Sequence, residues 1–68
     1  MEGHMSLLDE FDYRYTQKPA EPAKIILFGI LDDITGRKGF DHVWDAIDDE
    51  IKEGILETNL ETVTKNLS

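Results

Sequence analysis

His42, Asp45 and Asp49 recur at i, i+3 and i+7, a spacing that puts one imidazole and two carboxylates on one side of a helix. Such a set is one route to a divalent cation, with Asp32 and Asp33 the nearest carboxylates that could complete it. Loops that bind hard cations carry acids at short alternating spacings around an obligatory glycine, and the stretch from Asp33 to Trp44 does not reproduce that pattern. His42 with Asp45 as its orienting partner would make a general base. No nucleophile elbow, phosphate loop or zinc-protease helix accompanies the pair. The expectation is no catalytic residue, no metal and no cofactor, with a divalent-cation-responsive switch as the third functional alternative.

The second group is the carboxylates themselves. The chain has 68 residues, 15 Asp+Glu and 7 Lys+Arg, a formal charge of −8. Residues 41–57 hold seven of the acids and one base, Lys52, and so carry −6 of the total. Read as one helix, this segment places Asp41, Asp45, Asp48, Asp49 and Glu53 on one side. Like charges four apart cost roughly a few tenths of a kcal/mol per pair, and Asp41–Asp45, Asp45–Asp49 and Asp49–Glu53 are such pairs. A solubility requirement alone is met by mixed signs without that cost. A basic protein surface is therefore the partner this face fits. Nucleic acid and anionic membranes would be repelled by it.

The aromatics form the third group. Phe11, Tyr13 and Tyr15 alternate with Asp12 and Arg14, a period of two that predicts extended backbone with three rings on one side. They either fold back over the rest of the chain as a lid or serve as an extended recognition segment. Trp44, the only tryptophan, reads as a core anchor. It would become an interface anchor if the monomer's core is thin.

These groups need elements to hold them. Ser6 with Asp9 resembles a capping box, and Leu7, Leu8 and Phe11 make one apolar edge of a short helical turn. Pro19 and Pro22 bound a stiff linker. From Ala23, the residues Leu27, Ile30, Leu31 and Ile34 share a helical face, and Gly36 supplies a stop. The rival reading is a buried strand over Ile25–Ile30. At about 100° per residue, Phe40, Trp44, Ile47, Ile51 and Ile55 fall in one stripe opposite the acids, with Val43 at its border. Asp41 is the expected cap of that helix and Gly54 its end. Thr58 with Glu61 then opens a last helix carrying Leu60, Val63 and Leu67. The rival there is one long helix to residue 67, bent at Gly54, with a shifted stripe of Leu56, Leu60, Val63 and Leu67.

The fold class expected is all-α: helices near 23–35, 41–54 and 58–67, beside an extended N-terminal arm over residues 6–22, with α+β as the alternative should Ile25–Ile30 pair as a strand. Gly3-His4-Met5 reads as a cloning remnant, which sets residues 1–5 aside. The expected interior is Leu27, Ile30, Leu31, Ile34, Phe40, Trp44, Ile47, Ile51, Leu60 and Val63. The absence of cysteine excludes a disulfide scaffold and a cysteine zinc site, and fits a cytoplasmic setting. No apolar run reaches the roughly 18 residues of a spanning helix.

The leading functional expectation is a non-enzymatic, acidic protein-binding module. It would be an inhibitor or nucleic-acid mimic that meets a basic surface through Asp41, Asp45, Asp48, Asp49 and Glu53, with Phe11, Tyr13 and Tyr15 beside them. The second is a structural or assembly subunit that homo-oligomerises through Trp44, Ile47, Ile51, Leu60 and Val63, because so short a chain often needs a neighbour to complete its core.

Overall fold

A computed structural model describes residues 6–67. The notion that residues 1–5 are a cloning remnant lies outside them. The described residues form four helices, α1 (Leu7–Asp12), α2 (Pro22–Thr35), α3 (Phe40–Ala46) and α4 (Asp49–Leu67), and no strand. The all-α reading holds, and Ile25–Ile30 lies within α2. None of these helices is long and apolar enough to cross a membrane.

The ends of α1 and α2 follow from local chemistry. The Ser6 hydroxyl accepts a hydrogen bond from the Asp9 amide at 3.1 Å and caps α1. Pro22 occupies the first turn of α2, where its missing N–H costs nothing. Gly36 closes α2, its amide donating to the Asp32 carbonyl at 3.0 Å. A side chain at Gly36 would press on that same carbonyl, at 3.0 Å.

The extended arm expected at residues 11–15 does not form. Phe11 and Asp12 finish α1, and the following residues curl into a turn in which the Tyr13 carbonyl accepts from the amides of Thr16 and Gln17. Phe11 is 1% exposed and becomes the hub of the interior. Its ring meets Phe28 at 5.4 Å and Trp44 at 5.9 Å between centroids, both edge to face, the favoured aromatic geometry.

The second half of the chain departs furthest from expectation. Asp41 does not cap α3; Gly39 does, with φ 100°, a left-handed conformation that only glycine adopts without strain. The single helix expected over residues 41–54 is broken at Ile47, whose backbone is extended. The Asp48 carbonyl then accepts from the amides of Ile51 and Lys52 at 3.0 and 2.9 Å, and α4 begins. Aspartate is a strong helix-starting residue, and Asp49 and Glu50 in the first turn are favoured by the helix dipole. The break removes one of the three like-charge pairs of a continuous helix, Asp45–Asp49, while Asp41–Asp45 stays within α3 and Asp49–Glu53 within α4.

No second break follows. Helix α4 runs through Gly54 and the threonines to Leu67, so the separate helix expected at 58–67 is not made. The Asn59 and Asn66 amides and the Thr62 hydroxyl turn inward and donate to carbonyls four residues back, at 2.7, 2.8 and 3.1 Å, which removes their competition with the helix. Most of the shifted stripe faces inward: Leu56 is fully buried, with Leu60 and Val63 packed on the core beside it, while Leu67 is exposed.

The core is Leu7, Leu8 and Phe11 from α1, Leu27, Phe28 and Leu31 from α2, and Leu56 from α4. Helix α3 contributes no buried residue. Of the expected interior, Leu27 and Leu31 are buried, Trp44, Leu60 and Val63 pack partly against them, and Ile47 is half-buried. Ile30, Ile34, Phe40 and Ile51 are exposed instead. The stripe through Phe40 and Ile51 presupposes a continuous helix, and with the break at Ile47 these two members turn to solvent.

Candidate functional site

The five acids expected to share one face do different things. Glu53 is structural. Its carboxylate reaches from α4 to the start of α1 and accepts from the Leu7 amide at 3.0 Å and the Leu8 amide at 2.9 Å. It thereby satisfies two of the four amides that a helix start leaves without partners, so it is withdrawn from any outer surface. Asp41 is also committed, accepting from the amides of Gly39 at 3.1 Å and His42 at 2.8 Å. Asp49 lies 3.9 Å from the Lys52 ammonium. Asp45 and Asp48 are exposed, and no ion pair engages them among the described residues. The anionic surface is thus narrower than the sequence implies. It centres on the junction between α3 and α4.

Beside that junction lies an apolar groove of about 210 Å³. Trp44 and the buried Leu31 contribute to its lining, with Ile47 and Ile55 at the α4 end and Ile34, Phe40 and Val43 along the rim. Phe40 and Val43 are 55% and 57% exposed. The indole meets Phe11 in a T-shaped contact, and the Lys52 ammonium stands 5.4 Å from the ring centre. Trp44 is therefore held in place from the core side. Sequence reasoning did not single out Ile34 or Phe40 as surface residues. Val43, at the border of the stripe, was the one signal that the apolar edge is wider than the core needs.

The aromatic group of the N-terminal segment is dispersed. Phe11 is interior. Tyr13 and Tyr15 are exposed, and Tyr15 is tied down by its hydroxyl, which donates to Asp32 at 2.6 Å. Arg14, read only as a spacer between rings, is the organiser of this corner. Its guanidinium donates to Asp32 and to the Phe11 carbonyl, and stacks over the rings of Phe11 and Tyr15 at 4.1 and 4.6 Å. The Tyr15 hydroxyl first, and the Arg14 guanidinium second, hold the Asp32 carboxyl below its ordinary range. Across the α1–α2 contact, Lys24 donates to Glu10 at 2.8 Å, and that hydrogen bond raises the Lys24 ammonium above its usual value.

Asp45 lies near the end of α3 and Asp49 at the start of α4, so the i, i+3, i+7 register of His42, Asp45 and Asp49 is lost at the break. Among the described residues no three His, Asp or Glu side chains gather as metal ligands would. Compared with protein-family models, with curated proteins and with solved structures, the chain finds no match.

Proposed function

We propose that the protein is a non-enzymatic binding module whose partner presents an amphipathic, basic helix. The observation that carries the reading is the apolar groove around Trp44 lying next to acids that no base engages among the described residues. Apolar side chains of the partner helix, spaced at i, i+3 and i+4, would seat between Ile34, Phe40 and Val43. Lysines or arginines on its flank would meet Asp45, Asp48 and Glu50. Burial in the groove supplies most of the affinity, and the carboxylates supply orientation and speed of encounter. An inhibitor of a basic site and an adaptor to a basic helix both fit this description.

Trp44, as the only tryptophan, reports on its own groove. Amphipathic helical peptides of equal hydrophobicity, one basic, one neutral and one acidic, are titrated while indole emission is followed. The expected result is a blue shift with the basic peptide, an affinity that falls steeply as salt rises, and loss of binding in Val43→Asp. Equal affinity for the acidic peptide, or no response to any of them, would overturn the proposal.

A second reading, a homo-oligomer, draws on a different observation. Ile25, Ile26, Ile30 and Ile34 on α2, with Phe40, Val43 and Ile51, remain exposed, which is much apolar surface for so small a chain. Two copies meeting at the groove would bring Asp45 and Asp48 of each towards the other, so the charge favours the basic partner. Sedimentation equilibrium at high micromolar concentration separates the readings: a monomer removes the second.

A further inference from the structure

A second concavity, of about 340 Å³, opens on a different face of α2. Ile25, Phe28 and Gly29 of α2 form one wall, and Tyr15, Lys18 and Pro19 of the segment joining α1 to α2 form the other. The volume falls within the range of small-ligand sites and is enough for a two-ring compound.

Gly29 is the first reason to read this space as a site. It lies in the middle of α2, where glycine is unfavourable relative to alanine. Nothing in the fold requires it: a side chain there would meet no atom within 4 Å. Glycine at this position therefore serves neither a turn nor a close approach of two helices. Its effect is to leave the wall of the pocket open.

The second reason is the charge at the pocket's polar end. Arg14 and Asp32 neutralise each other, and the Tyr15 hydroxyl donates to the same carboxylate. Lys18 has no ion-pair partner among the described residues. The pocket thus carries a net positive charge within a chain whose excess acids belong to residues 41–57. What it offers is an apolar slot whose lining includes Lys18, an ammonium with no ion-pair partner among the described residues.

We infer that this pocket binds a small aromatic carboxylate. The ring lies between Ile25, Phe28 and Pro19 over the bare backbone of Gly29, and the carboxylate pairs with the Lys18 ammonium. The inference stands independently of the groove around Trp44.

Naphthalene-2-carboxylate, 2-naphthylmethanol and 2-naphthylmethylamine share the ring and differ in charge, and each is titrated into the isotope-labelled protein while amide resonances are followed. The carboxylate is expected to shift amides in 14–18 and 25–32 and to bind about tenfold more tightly than the amine. Lys18→Gln reduces it to the level of the alcohol. Gly29→Leu fills the slot and abolishes binding. Gly29→Ala raises the melting temperature while weakening binding, two changes of opposite sign that a general loss of structure would not produce. The proposal is overturned by shifts confined to residues 40–47, by equal affinity for the amine, by no shift up to the solubility limit, or by undiminished binding in both Gly29 variants.

Discussion

Phe11 and Trp44 touch edge to face, yet they belong to regions of different kinds. Around Phe11, α1, α2 and α4 close completely: the ring is 1% exposed, Leu56 beneath is fully buried, and the start of α1 is capped twice, by Ser6 and by Glu53. Around Trp44, the indole packs against that core on one side only, while Ile34, Phe40 and Val43 stand open to solvent. The same contrast runs through the acids. Glu53 is spent on two backbone amides, whereas Asp45 and Asp48 engage no base among the described residues. A chain of 68 residues can fill one small interior, and this one fills it on the α1 side. The apolar surface of α3 is left over from folding.

The largest effect is expected from Phe11→Ala. Removing a buried phenylalanine costs about 3–5 kcal/mol, which is comparable with all the stability that a core of this size supplies. Far-UV circular dichroism should show loss of most helical signal, Trp44 losing its support at the same time. Glu53→Ala comes next. It leaves the Leu7 and Leu8 amides without their charged acceptor, at a cost of about 1–3 kcal/mol, and Glu53→Gln should recover part of it; urea midpoints measure both. Gly29→Ala should act in the other direction, stabilising by about 0.5–1 kcal/mol, because the new methyl group meets nothing.

The smallest effect is a pH dependence. Tyr15 and Arg14 lower the pKa of Asp32 in the folded state, so their contribution is present above the ordinary carboxylate range. It is lost as the pH falls through the lowered value. Unfolding midpoints followed from about pH 6 to about pH 2 should therefore fall less steeply in Asp32→Asn than in the parent chain.

Much of the α1 and α2 architecture was legible because its signals are local. Ser6 before Leu7, Pro22 at a helix start and Gly36 at a helix end each act on neighbouring backbone, and the in-phase Leu27, Leu31 and Ile34 favoured helix over strand. At 11–15 two periods compete: five alternating residues fit a strand, but Leu7, Leu8 and Phe11 already begin a helix. The break at Ile47 was missed because two residue types competed to end the same helix. Gly54 is a stop signal, while Asp48, Asp49 and Glu50 form a stronger start signal six residues earlier. Placing the break there rotates α4, turns Leu56 inward and sends Ile51 outward. Glu53 could not be read at all, since its partners are the amides of Leu7 and Leu8, more than forty positions away in sequence.

The division between a closed Phe11 side and an open Trp44 side is tested most directly by the unfolding free energy of the double variant Phe40→Ser, Val43→Ser. If the α3 face is surplus to folding, the pair should cost less than about 1 kcal/mol in urea denaturation, as surface substitutions do. A loss of more than about 2 kcal/mol, the scale of a truncated core residue, would place that face in the interior and contradict the account.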